Sequence, residues 1–150
     1  MGYKEKYKCI LHKIKSLESL PLLAIRLVLV VGFFGPARTK IGNIENIAQW
    51  FDSMGYPFPT LNAYLATGTE SLGVILLFLG LGTRIISIPL MIVMLVAIFT
   101  VHLKNGFQAG SNGFEIPLYY FIMLFTLLVF GSGKISFDHL LKNKLNNSTY

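Results

Sequence analysis

The chain has 150 residues, 53% of them hydrophobic and 13% charged, with a formal net charge of +6 and a mean hydropathy of +0.61. A soluble domain of this length needs more polar surface over its core, and it does not gather its apolar residues into four blocks. The composition excludes an ordinary water-soluble fold, points to the lipid bilayer as the chain's main partner, and shows no nucleic-acid module behind the positive charge.

Residues 1–19 form a basic tail in which Tyr3, Tyr7, Ile10, Leu11, Ile14 and Leu17 recur at three- and four-residue intervals between lysines. That spacing suits an amphipathic helix on anionic lipid; a plain solubilising tail reads equally well at this length. Cys9 is the only cysteine, so neither an internal disulfide nor a Cys-x-x-Cys pair is available. The first apolar block, Leu20 to Ala37, is interrupted by Arg26 and is read as an uncleaved anchor rather than a signal peptide.

The first outer loop, Arg38 to Thr60, contains a short amphipathic helix. Ile44, Ile47, Ala48, Phe51 and Met54 share one face, Asn43 is positioned to cap its start and Gly55 to close its end. Trp50 and Tyr56 read as interfacial anchors, with a ligand-stacking pair as the alternative. The second block, Leu61 to Leu81, carries Glu70 within a small and polar stripe formed by Asn62, Ala66, Thr69, Gly73 and Gly80, a surface suited to face neighbouring helices. Leu81-Gly82-Thr83-Arg84 fits only a tight helical hairpin. The third block, Ile85 to Leu103, contains Pro89, and a glycine-rich loop, Lys104 to Glu115, leads to the fourth, Ile116 to Gly131. The blocks are too long for strands and do not alternate.

The expected architecture is therefore all-α: an integral membrane four-helix bundle over residues 20–141, with a short interfacial helix in the first outer loop and a polar tail over 142–150. Lysine and arginine concentrate in the N-terminal tail, at Arg84, and at Lys134, Lys142 and Lys144, which places both termini in the cytoplasm by the positive-inside rule.

Arg26 and Glu70 are the candidates for chemistry, because an ionisable group at that depth costs several kcal/mol unless paired or hydrated. Counted at about 1.5 Å per residue they lie at similar depths, roughly 13 and 12 Å from the outer ends of their blocks, so they are expected to pair. Such a pair fixes helix register, moves protons or binds an anionic group. His102, Lys104 and Glu115 form a second candidate, an outer polar cluster, with water-facing helix ends as the alternative. No zinc, di-iron, haem or nucleotide motif is present, since His12, His102 and His139 are scattered and no metal-ligand spacing occurs.

Arg26-Leu27, Phe34-Gly35 followed by Lys40, Met54-Gly55-Tyr56-Pro57, Glu70-Ser71-Leu72-Gly73, Leu79-Gly80-Leu81-Gly82-Thr83-Arg84 and Gly131-Ser132-Gly133-Lys134-Ile135-Ser136-Phe137-Asp138 together resemble the DoxX family of small four-helix bacterial membrane proteins, over about Leu20 to Leu141. The stretch from His102 to Tyr120 is similar to members found with systems that make modified metal-binding peptides. The resemblance carries over Arg26, Lys40, Glu70, Arg84 and Asp138 as motif positions. It implies residence in the bacterial cytoplasmic membrane and a redox neighbourhood, with quinone as the candidate cofactor. The expected function is a membrane subunit of a redox/quinone-linked or thiol/metal-stress complex. The alternatives are an export or carrier component for a small metabolite or metal-binding peptide, working as a homo-oligomer, and a non-catalytic anchor for a partner enzyme.

Overall fold

The computed structural model describes residue 7 and residues 17–147. Apart from Tyr7, the segment 1–16, with Cys9 and His12, lies outside the described residues, and with it most of the expected amphipathic tail helix.

Helix α1 runs Ser19–Gly42, α2 Ile44–Ser53, α3 Pro59–Leu79 and α4 Thr83–Ala97. Helix α4 continues through a π-helical turn, Ile98–His102, and a 3-10 turn, Leu103–Asn105; α5 spans Glu115–Phe130 and α6 Phe137–Asn147. The buried positions follow helical spacing: Arg26, Leu29, Phe33 and Ala37 on α1, and Ala63, Thr67, Glu70, Gly73 and Leu77 on α3. Leu29, Phe33, Leu77, Ile86, Leu90, Met94, Leu124 and Leu127 form one core. The opposite faces are apolar as well, with Val31, Phe34, Ile75, Phe78, Ile85 and Phe125 exposed. Helices apolar all round belong in lipid.

Three helical stretches are long and apolar enough to cross a bilayer: Ser19–Gly42, Pro59–Leu79 and Thr83–Asn105. The fourth apolar helix, α5, has 16 residues, or about 24 Å of helix against a hydrocarbon core of about 30 Å. The chain is thus an all-helical membrane protein in which α1 packs on α3, α3 on α4 and α4 on α5, while α1 and α5 touch only lightly.

Several boundaries differ from those read in the sequence. Helix α1 continues to Gly42 rather than ending near Ala37, which adds about 7.5 Å at 1.5 Å per residue. Polar residues alone do not end a helix: Thr39 Oγ1 donates to the Gly35 carbonyl and Asn43 Nδ2 to the Thr39 carbonyl, so the polar extension stays wound. Asn43 stands at the start of α2 but makes no side-chain cap there, since its amide is turned back onto α1. Gly55, at φ +76°, does close α2, with its N–H on the Asp52 carbonyl. Helix α3 ends in a Schellman turn, with Gly80 at φ +65° and the Leu81 N–H on the Leu76 carbonyl.

The end of the bundle where α1 begins and α6 leaves is called the tail end. The opposite end, carrying α2 and residues 106–114, is the loop end.

Candidate functional site: a cavity around Glu70

The tail end shows what most of the motif residues do. Asp138, in the first turn of α6, accepts from the Gly82 N–H at 2.8 Å and the Thr83 N–H at 3.3 Å, so it caps α4 from outside that helix. Its own N–H donates to the Gly80 carbonyl, and Ser132 Oγ donates to its carboxylate. Arg84 Nη2 donates to the Val129 carbonyl at 3.1 Å, closing the end of α5. Arg26, 1% exposed, donates through Nη1 to the Leu77 carbonyl and through Nη2 to the Ile135 carbonyl. Gly80 is required for this fit, because a Cβ there would lie 1.9 Å from Arg26 Nη1. Unpaired N–H and C=O groups at helix ends are costly in a bilayer, and these side chains satisfy them.

Arg26 and Glu70 do not pair. Lys40 Nζ donates to Glu70 Oε1 at 2.6 Å, the one ion pair among the described residues. The extra turn of α1 explains the exchange of partners. Arg26 sits level with the last turn of α3, while Lys40, brought onto α1 by the longer helix, reaches down to Glu70. Glu70 is 2% exposed, and its second oxygen, Oε2, has no hydrogen-bond partner.

Glu70 borders a cavity of about 560 Å³ at the loop end. Phe33 and Pro36 of α1 line it with Leu65, Ala66 and Thr69 of α3, and Ile92, Val93 and Met94 of α4 form another wall. Trp50, Phe51 and Tyr56 contribute from α2 and the turn after it, and Tyr120 from α5. Phe51 is buried, with ring centroids 5.4 Å from Trp50 and 5.0 Å from Tyr56. Trp50 and Tyr56 thus belong to the cavity wall as well as to the surface. Tyr120 enters because α1 has Gly32 opposite it: an added Cβ would lie 2.1 Å from the Tyr120 hydroxyl.

The π-helical turn shapes the remaining wall, supplying Thr100, Val101 and His102. A π turn widens the helix by one residue and redirects its side chains, and such turns recur at functional sites. Tyr56 donates to Thr100 Oγ1 at 2.5 Å, fastening the turn after α2 to this segment.

The expected cluster of His102, Lys104 and Glu115 does not assemble. His102 Nδ1 lies 2.8 Å from the Asn112 carbonyl, while Glu115 accepts from the Ala109 N–H and the Tyr119 hydroxyl. Each carboxylate or ring is engaged by the loop that folds back between α4 and α5. Of the three, His102 alone lines the cavity with Glu70. A carbonyl only accepts, so Nδ1 carries the hydrogen and Nε2 keeps its lone pair when the ring is neutral.

Sequence reasoning missed the Lys40–Glu70 pair, Gly32, Thr100 and Tyr120. Only Lys40 had carried a signal, as a motif position. Among the described residues no group of three or more His, Cys, Asp or Glu side chains converges in a way that would hold a metal ion.

The polar centre, its aromatic walls and its helical frame fall largely within residues 21–103, which match the family model described as DoxX. The chain belongs to the DoxX family. Over 129 residues this DoxX chain is 32% identical to an uncharacterized protein of Haemophilus influenzae, covering 83% of the chain and 85% of that protein. Over 98 residues it is 33% identical to the Bacillus subtilis protein named "Putative oxidoreductase CatD", covering 65% of the chain and 71% of that protein. No solved structure matches. The family match covers Arg26, Lys40, Glu70 and Arg84; Asp138 lies beyond it.

Proposed function

We propose that this DoxX chain is the membrane subunit of a redox complex and that its loop-end cavity takes the head group of a quinone in its reduced, quinol form. The observation that carries the reading is Glu70 Oε2, a buried carboxylate oxygen with no partner beside an apolar and aromatic cavity. A buried acceptor left unmatched costs about 1–3 kcal/mol or more, and a ligand hydroxyl placed there removes that cost.

The residues present fit such a group. The aromatic and aliphatic walls suit a flat ring with an apolar tail, and the polar atoms are few and fixed, the usual make-up of a small-molecule site. A bound quinol would supply two electrons and two protons. Lys40 holds the Glu70 carboxylate by ion pairing, leaving Oε2 free to accept a proton. Lys40 is 20% exposed, so the pair borders both the cavity and solvent. His102 Nε2 offers a second acceptor on the same cavity wall. In this reading the chain binds and moves protons, and electrons enter through a protein partner. The oxidoreductase name of the Bacillus relative supports a redox role.

The positive-inside rule supports a tail end in the cytoplasm and a cavity on the outer side of the bacterial cytoplasmic membrane. A Cys9→Ser, Ser111→Cys chain is then labelled by an impermeant maleimide in intact cells or spheroplasts, and the native Cys9 chain is not. The opposite pattern inverts the topology.

The deciding experiment is purification of the full chain in mild detergent from quinone-containing membranes kept reduced with dithionite, with bound quinol measured by mass spectrometry. Wild type is expected to retain quinol, whose hydroxyl donates to Glu70 Oε2, and Glu70→Gln to retain at least about tenfold less, the equivalent of one charge-assisted hydrogen bond. Full retention by Glu70→Gln, or a quinol-free wild type that keeps a protein partner, overturns the reading in favour of a membrane anchor.

A further inference from the structure

A second cavity, independent of the first, lies at the tail end. The light contact between α1 and α5 leaves a cleft of about 740 Å³. Its walls are apolar, with Leu22 and Ile25 on α1 and Phe130 on α5. Its rim is basic, formed by Lys134 and Lys142 beside His139.

We infer that this cleft holds one anionic phospholipid, with its phosphate at Lys134 and Lys142 and an acyl chain along Leu22, Ile25 and Phe130.

The charges at the rim favour this occupant. Lys134 and Lys142 are exposed and make no ion pair among the described residues. Arg84, on the same wall, is turned to the Val129 carbonyl. Two carboxylates are near. Asp138 is occupied by the Gly82 and Thr83 N–H groups and by Ser132, and Glu18 is exposed without an ion pair. The floor is tied to α1: Gly133 turns at φ +77°, and the Lys134 N–H donates to Ser19 Oγ. Lys134 is thus held by its backbone beside the apolar slot, and Lys142 lines the same rim from α6.

A cleft of this kind within hydrocarbon fills with acyl chains whatever its rim carries, so the lysines decide the head group. Basic pockets between helices at the interface select anionic lipids in this way. Each interfacial lysine contributes about fivefold, so two give a preference of about 25-fold. A soluble phosphate would meet the same lysines but leave the apolar walls uncovered.

The test is native mass spectrometry of the full chain in detergent, titrated with phosphatidylglycerol or phosphatidylcholine. Wild type is expected to hold one phosphatidylglycerol per chain in preference to phosphatidylcholine. Lys134→Gln with Lys142→Gln, both exposed, should abolish the preference by about 25-fold without changing the fold. Leu22→Trp, which fills the slot, should weaken both lipids while leaving quinol retention unchanged. Three results overturn the inference: an unaltered preference in the double variant, displacement of the lipid by millimolar inorganic phosphate, or loss of the preference only when residues 1–15 are removed.

Discussion

At the tail end Arg26, Arg84 and Asp138 are turned onto the ends of α3, α5 and α4, and the charges serve backbone groups that would otherwise face lipid. At the loop end Glu70 meets one cation and leaves an oxygen unmatched beside a cavity. Both ends bury ionisable groups and both have a cavity, yet only at the loop end does a buried carboxylate oxygen without a partner border one. Arg26 Nε also lacks a partner, but Arg26 lines neither cavity. A buried charge in a membrane protein therefore marks a site only when its surroundings leave room for something to bind.

Substitutions at the two ends should separate stability from function. The largest expected effect on function is at Glu70: Glu70→Gln should lower quinol retention at least about tenfold, since the amide NH2 that replaces Oε2 cannot accept from a ligand hydroxyl, and change thermal stability little, since an amide oxygen still accepts from Lys40. A large fall in the melting temperature with unchanged retention would make Glu70 a structural residue. Arg26→Ala should do the reverse, destabilising the chain by about 3 kcal/mol through loss of two carbonyl partners and a buried side chain, with retention per folded chain preserved. Gly80→Ala should approach that loss, because it combines a left-handed backbone at φ +65° with a collision against Arg26. Denaturation followed by tryptophan fluorescence measures both variants.

Asp138→Ala uncaps α4 and should cost about 1–2 kcal/mol. If it instead matched Glu70→Gln in quinol loss, the division between the ends would fail. The smallest effect belongs to Gly32→Ala, whose new methyl displaces the flexible end of Tyr120. It should weaken retention a few-fold at nearly constant stability, placing the Tyr120 side of the cavity in contact with the ligand.

The error that mattered in reading the sequence was one of length. Arg38, Thr39 and Lys40 look like a loop beside an apolar block, and depth counted from Ala37 sets Arg26 level with Glu70. With α1 running to Gly42, Arg26 falls to the tail end and Lys40 comes within reach. Gly82 marked its turn correctly, whereas Gly80, read as part of the stripe on the second block, closes α3 at φ +65°. Nothing in composition or spacing announced the π turn at Ile98–His102, because its backbone is set by packing rather than by local preference.

The sequence by itself determined that this is an all-helical membrane protein of the DoxX family, because apolar blocks of spanning length, turn residues and the order of motifs are properties of short stretches of chain. Only the tertiary structure decided that Lys40, rather than Arg26, meets Glu70, that Asp138 caps a helix 55 residues away, and that space remains beside Glu70 and not beside Arg26. Those outcomes depend on where helices end and how they register against one another, and a shift of a single turn is enough to exchange the partners of a buried charge.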